Sequence, residues 1–438
     1  MTENILTEYN SFLFLGIGGV SMSALAKLLL KSGKKVAGYD RCESEFTLEL
    51  KELGVSVSIG HSCDVGEFDA VVYTDAISDS NNMLIQARRL KKALIPRGKL
   101  LYLVSAMHNK TVAVSGCHGK TTCTAMLAHV FSAANAAFSA HIGGNDLTFS
   151  NAYAGGADYF VTEACEYKKN FLYLRPDTAV ILNSDADHLD CYGSAENLKK
   201  AYLQFAESAN ETVKLYGDLD GCAGITFGYD DRADYYAKRI TCASGLYSFT
   251  AYENGAELGR VRLSVYGKHN VLNALAVIAA ARRYGFGFSD IARGLENFRG
   301  VKRRFERIGS RCGAVCIADY AHHPNEIKAA LKTARAITHG ELYVVFQPHT
   351  YSRTKNLFNQ FVSVLSPLKK LLIYKTYAAR EYYDDAGSAL TLSAAVRRSV
   401  YGDCETDIET FLKGVEAGDT VLFLGAGDIY DIAKGVTD

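Results

Sequence analysis

The segment Thr111-Val-Ala-Val-Ser-Gly-Cys-His-Gly-Lys-Thr-Thr122 joins an apolar run to a glycine-bracketed turn, then to Lys120 and Thr121. Such a turn can point backbone N–H groups at a phosphate, and the helix that follows adds partial positive charge. A lysine there can reach the outer phosphates, and a neighbouring hydroxyl can hold Mg²⁺. Gly116, His118, Gly119, Lys120, Thr121 and Thr122 are therefore candidate contacts to ATP or GTP, on a loop shorter than the general GxxxxGK[ST] pattern. Two later apolar runs end in acids. Tyr159–Thr162 leads into Glu163-Ala-Cys-Glu166, and Thr178–Leu182 into Asn183-Ser-Asp-Ala-Asp-His-Leu-Asp190. Strand ends gather at one edge of a parallel sheet, so Glu163, Asn183 and His188 are expected near Mg²⁺ and the last phosphate. Oxygen ligands suit that ion best; histidine is less usual.

A second glycine loop, Gly16-Ile-Gly-Gly-Val-Ser21, lies between the first apolar run and the first helical segment, with Asp40 ending the next strand. Strand, loop, helix, strand and acid in that order can hold a diphosphate, whether of NAD or of another nucleotide. Gly267-Lys-His-Asn-Val-Leu-Asn273 places Asn270 and Asn273 on one helical face, where they could grip an adenine edge or serve as caps. The Lys302–Glu306 segment, with Arg304, offers a phosphate clamp or a basic linker. Asp319-Tyr-Ala-His-His-Pro324 and Gln347-Pro-His-Thr-Tyr-Ser-Arg353 each follow a strand, and their histidines and arginine suit a carboxylate.

The elements that must carry these residues read as buried strands alternating with helices. Phe12–Leu15, Val71–Tyr73, Val112–Val114, Ala179–Leu182, Leu342–Phe346, Leu371–Tyr374 and Val421–Leu424 are apolar at nearly every position. Strands of that kind are covered on both faces, which means parallel sheets between helices. Met22, Leu25, Ala26 and Leu29, then Cys123, Met126, Leu127 and Val130, follow helical spacing. The chain has 438 residues, enough for several domains, and breaks near 107 and 300 give three α/β units: 1–107, 108–300 and 301–438. Its 48 basic and 48 acidic residues cancel, which argues against a broad nucleic-acid or anionic-membrane surface. Phe12–Leu30 is broken by polar residues and glycines and does not read as a membrane span. The polar N-terminus lacks signal-peptide character, and eleven cysteines without paired spacing fit a reducing cytoplasm.

Taken together, GIGGVSMSALA, SGCHGKTT, EACEY, DADHLD, GKHNVLNA, FRGVKRRFE, DYAHHPNEI, FQPHTYSRTK and GAGDIY, in that order, resemble the Mur ligases of peptidoglycan synthesis along essentially the whole chain. The DYAHHP and FQPHTYSRT blocks look like the alanine-adding branch. The resemblance implies a Rossmann-like first domain that binds a UDP-sugar, with Gly16, Gly18, Gly19, Ser21 and Asp40 on that side. It implies a central P-loop ATPase-type domain with a mainly parallel sheet. There Lys120 would hold phosphates, Thr121 and Glu163 one Mg²⁺ and His188 a second, with Asn183 near the γ-phosphate and Asn270 and Asn273 facing adenine. A Rossmann-like third domain would bring Arg304 and Asp319 to ATP, and His322, His349 and Arg353 to the amino acid. The implied reaction joins UDP-N-acetylmuramate to L-alanine with ATP and Mg²⁺. The rivals are a recycling ligase that attaches a peptide, an NAD-dependent oxidoreductase built on the first loop, and a non-catalytic nucleotide switch. Ser21 stands where the common pattern has glycine, and Thr350 where many members carry arginine.

Overall fold

The computed structural model describes residues 5–185 and 189–437. Its strands fall into three sheets, each formed by one stretch of chain. The first contains β1 (Ser11–Leu15), β2 (Lys35–Asp40), β3 (Ser56–Ile59), β4 (Ala70–Tyr73) and β5 (Ala93–Pro96) in the order β3-β2-β1-β4-β5. Every pairing in it is parallel, so the carboxyl ends of β1, β2 and β4 come together as Leu15 pairs with Tyr39 and Tyr73.

The second sheet contains β6 (Lys110–Ser115), β7 (Phe138–Asp146), β8 (Ser150–Ala154), β9 (Tyr159–Glu163), β10 (Thr178–Ile181), β11 (Glu211–Leu215), β12 (Ile225–Gly228), β13 (Tyr235–Ala243), β14 (Leu246–Glu253) and β15 (Ala256–Tyr266). The order is β15-β14-β13-β12-β11-β10-β6-β9-β7-β8. β6 lies between β10 and β9, parallel to both, so the loop after β6 sits beside the ends of the two strands that carry the acids. β8 folds back antiparallel on β7, and β13, β14 and β15, joined by two-residue turns, form a meander at the other edge.

The third sheet contains β16 (Glu306–Arg311), β17 (Ala314–Asp319), β18 (Leu342–Phe346), β19 (Lys370–Tyr374), β20 (Ser399–Gly402) and β21 (Thr420–Leu424), ordered β16-β17-β21-β18-β19-β20. It is parallel apart from β16, which runs against β17. Alternate residues of its central strands enter two separate cores. Val344, Phe346, Ile373, Leu422 and Leu424 face one, and Tyr343, Val345, Leu372, Tyr374, Val421 and Phe423 face the other. This is why these strands are apolar throughout: neither face meets water.

The helix Lys120–Ala133 is buried from Cys123 to Phe131, on all its sides. On one side helix Phe288–Asn297 comes so close that a Cβ on Gly294 would lie 2.5 Å from the Cα of Val130. Only glycine allows that approach. The apolar spacing in the sequence therefore marked one stripe of a helix that is covered all round.

By density of contacts the chain forms two compact units. One comprises Met1–Ile240, Ser248–Arg262 and Val271–Arg299; the other comprises Thr241–Tyr247, Leu263–Asn270 and Gly300–Asp438. In the described residues no helix is long and apolar enough to cross a membrane.

Candidate functional site

The loop between β6 and helix Lys120–Ala133 is shaped by two glycines with left-handed backbone, Gly116 (φ 137°) and Gly119 (φ 88°). A Cβ on Gly116 would lie 3.0 Å from Leu182 Cβ and 3.1 Å from the Asn183 backbone nitrogen; one on Gly119 would lie 2.7 Å from Asn273 Oδ1. Conformation and space thus both demand glycine, and the loop wraps closely against the end of β10. Asn183 fastens it. Its side chain accepts from the His118 N–H (3.0 Å) and donates to the His118 carbonyl (2.9 Å). Asn183 is held in turn by its neighbour Ser184, whose N–H and hydroxyl both donate to Asp218 (2.7 and 2.5 Å).

Lys120 opens the helix with its ammonium folded back under the loop. Nζ donates to the Gly116 carbonyl (2.5 Å), the Cys117 carbonyl (3.3 Å) and Glu166 Oε1 (3.0 Å). Burial opposes the lysine's charge, yet the nearby acids, Glu166 above all, hold it charged, well above the usual lysine range. Next to it, Thr121 Oγ1 donates to Glu163 Oε2 (2.8 Å). A hydroxyl and a carboxylate in contact, beside a lysine and a glycine loop at the edge of parallel strands, are the oxygen donors a Mg²⁺–triphosphate needs. The residues present fit ATP and its metal. His188 lies outside the described residues.

Of the two asparagines, Asn273 lies against Gly119, while Asn270 donates from Nδ2 to the Tyr266 carbonyl (2.7 Å). Thr122 follows Thr121 in the first turn of the helix.

The first glycine loop is braced differently. Gly16 (φ 82°) donates its N–H to the Tyr39 carbonyl (2.8 Å), and Asp40 Oδ2 accepts from the Gly18 N–H (2.8 Å). Gly19 caps helix Val20–Lys31. Asp40 therefore shapes this loop from within. Ser21, the residue that departs from glycine, uses its hydroxyl. Its Oγ is 2.8 Å from His141 Nε2 and accepts from Arg97 Nη1 at 3.2 Å. His141 Nδ1 is 3.0 Å from Thr162 Oγ1, and burial, with Arg97 adding to it, pushes the imidazole down to about 3.

The candidates of the third sheet form a group of their own. His322 and His349 rings are 5.7 Å apart, and His349 stacks on Tyr377 at 5.5 Å. Arg353 Nη1 is 3.2 Å from His349 Nδ1. Burial, reinforced by His322 and Arg353, pushes His349 down to about 4, so it is neutral at neutral pH. Asp319, at the end of β17, accepts from the Phe305 N–H (2.8 Å) and the Ala321 N–H (2.7 Å). Burial raises it to about 6 despite Arg304, whose guanidinium lies 5.1 Å from the Tyr320 ring.

Four residues of these clusters escaped the sequence reading. Glu166 sits inside the quoted EACEY block, but spacing alone gives no reason to prefer it over Glu163. Arg97, His141 and Tyr377 lie outside every motif quoted above.

Comparison with known proteins now bears on these loops. Family profiles match in order along the chain: "Mur ligase family, catalytic domain" over 11–117, "Mur ligase middle domain" over 114–281, and "Mur ligase, glutamate ligase domain" over 303–427. The chain belongs to the Mur ligase family. A UDP-N-acetylmuramate–L-alanine ligase of Clostridium novyi (strain NT) is 40% identical over 99% of both chains, and its namesake in Clostridium acetobutylicum is 40% identical over 96% of each. Among solved structures, the UDP-N-acetylmuramate-alanine ligase of Thermotoga maritima superimposes with a TM-score of 0.85 at 29% identity, covering 97% of this chain and 98% of its own. A murein peptide ligase of Psychrobacter arcticus shares the fold, with TM-score 0.74, 22% identity and coverage of 97% and 98%. This Mur ligase is thus an enzyme of an ATP-dependent family that makes peptidoglycan precursors, built from three α/β domains.

Proposed function

We propose that this Mur ligase uses ATP and Mg²⁺ to join L-alanine to the lactyl carboxylate of UDP-N-acetylmuramate through an acyl phosphate. The observation that carries the reading is the buried, charged Lys120 in the glycine loop, next to the Thr121–Glu163 pair. The end-to-end 40% identity to ligases named for this reaction supports it.

ATP supplies the phosphoryl group that turns a poor leaving oxygen into a good one, and Mg²⁺ offsets charge on the transferring phosphates. The chain's own part is positioning and electrostatics. Lys120 presents a charged ammonium to the phosphates, and Thr121 and Glu163, with His188, hold metal. Gly116, His118, Gly119 and Thr122 supply loop backbone, which Asn183 keeps in register. Asn270, Asn273, Arg304 and Asp319 serve the nucleoside and phosphates. Gly16, Gly18, Gly19 and Ser21 receive the UDP diphosphate at the start of helix Val20–Lys31, where backbone donors and partial positive charge favour an anion. Asp40 keeps that loop closed. Arg353 binds the alanine carboxylate, with His322 and neutral His349 beside it.

ADP release in the presence of UDP-N-acetylmuramate tests this. Wild type should respond to L-alanine and not to a tripeptide, and Lys120→Ala should lose at least about 1000-fold in turnover, the scale of a lost phosphate-stabilising cation. Full turnover in Lys120→Ala overturns the loop assignment, and preference for the tripeptide converts the reading to a recycling ligase.

A further inference from the structure

Among the described residues, the Lys120 ammonium donates to two loop carbonyls and one acid. Its three ammonium hydrogens are matched by three acceptors: the Gly116 carbonyl at 2.5 Å, the Cys117 carbonyl at 3.3 Å, and the carboxylate of Glu166, with both oxygens at 3.0 Å. The acceptors are not equivalent. The carbonyls belong to the loop, while Glu166 belongs to the segment just after β9, and its side chain is wholly buried.

The main chain at Glu166 is pinned on both sides. Tyr192 Oη donates to its carbonyl at 2.5 Å, and the Lys169 N–H donates to the same carbonyl at 2.8 Å. Two residues before it, Ala164 donates its N–H to the Val114 carbonyl of β6 (2.8 Å), and its carbonyl accepts from the Ser115 hydroxyl (2.8 Å). The carboxylate is therefore fixed to the same strand that feeds the phosphate loop.

A phosphate that engages Lys120 must take the place of at least one of the three acceptors. Pulling the ammonium away from a wholly buried carboxylate that it meets through both oxygens gives up a charge–charge contact in a poorly solvating interior, where such contacts are costly to break. A loop carbonyl that loses one hydrogen bond keeps a second lone pair and its neighbours. The carbonyls give way, and the carboxylate does not.

We infer that Glu166 is the positioning residue of the phosphate loop: its buried carboxylate stays on the Lys120 ammonium and is the pivot about which that ammonium turns from the loop carbonyls to the transferring phosphate. Glu166 acts through Lys120 and touches neither substrate. The carboxylate also limits how far the ammonium travels, so its effect belongs to the chemical step more than to nucleotide binding, which the glycine loop backbone carries as well. The inference rests on the reading of Lys120 as the phosphate-binding lysine.

The test is a double-mutant cycle on the full-length protein, with kcat for ADP release and, separately, the Kd of ADP with Mg²⁺ by titration calorimetry. Glu166→Gln, which keeps the shape and one acceptor, should lower kcat by about 10- to 100-fold and change the ADP Kd by less than about threefold. Glu166→Asp, which keeps the charge but withdraws it by one methylene, should fall between wild type and Glu166→Gln. Combining Glu166→Gln with Lys120→Ala should cost no more than Lys120→Ala alone, because the two act as one unit. Wild-type kcat in Glu166→Gln overturns the inference, as do losses that multiply in the double variant, or an ADP Kd that worsens in step with kcat. If Lys120→Ala itself retains full turnover, the reading of the loop fails first. If it is inactive while Glu166→Gln is unimpaired, only the positioning role fails. Thermal melts of each variant separate these outcomes from failure to fold.

Discussion

Arg353 is a cation of its cluster, 3.2 Å from a histidine that burial keeps neutral. A charged hydrogen bond to a carboxylate is worth about 1.5–3 kcal/mol, so Arg353→Ala should raise the KM for L-alanine about 10- to 100-fold. The KM for ATP should change little, and steady-state kinetics with each substrate varied in turn check both. Equal rises for the two would place the guanidinium elsewhere in the reaction. At this scale the sequence spoke through residue type. GKTT declared a lysine and a hydroxyl for phosphate and metal, and Thr121 does touch Glu163. It was silent on Glu166, because two acids three residues apart at a strand end look alike until one is seen to be buried against Lys120. It was also silent on the constraint at Asp40, whose carboxylate closes a loop through the Gly18 N–H. A one-letter pattern records the acid and leaves out its partner.

Elements were legible where hydrophobicity has one meaning. Runs such as Val112–Val114 and Val421–Leu424 are buried on both faces, and each is a central parallel strand. β13, β14 and β15 are half exposed and carry mixed residues, so no continuous apolar run announced them. β7 carries a different signal: its His141 links the Ser21 hydroxyl, at the start of helix Val20–Lys31, to Thr162 on β9. Burial holds that imidazole near 3, below its ordinary 6.5. The unfolded chain therefore binds more protons than the folded one as pH falls below 6.5, and stability is lost across that window down to about 3. The contribution amounts to about 2 kcal/mol between pH 7 and pH 5. His141→Asn should be less stable than wild type at pH 7 and flatter in unfolding midpoint between pH 7 and 5. A parallel decline in the two proteins would mean that protonation of His141 does not drive the loss.

For the molecule as a whole, zero net charge fits the proposed reading, in which anionic substrates are met by local groups: glycine-loop backbone, Lys120 and Arg353, each on its own loop or helix. We take the domain joins to lie near 107 and 300, close to where the family matches change over. The division into compact units follows a different line. The first two sheets share one hydrophobic core that runs from Phe12 to Leu219, whereas the third has its own two cores. Short pieces of the second sheet's stretch, Thr241–Tyr247 and Leu263–Asn270, group with the C-terminal unit, where Tyr266 packs its ring 5.6 Å from Phe305. Cores that are separate in this way melt separately unless the surfaces between them are large and apolar. Calorimetry should accordingly resolve two transitions, assigned by hydrogen exchange to the two units. Mg²⁺–ADP at a hundred times its Kd stabilises whatever binds it by about 2.7 kcal/mol. The shift should be larger in the transition of the unit that contains Gly116–Thr121 and should be much reduced in Lys120→Ala. A single transition that moves as one would mean that the chain melts as one cooperative body, and the division by contacts would then describe packing density without describing how the enzyme unfolds.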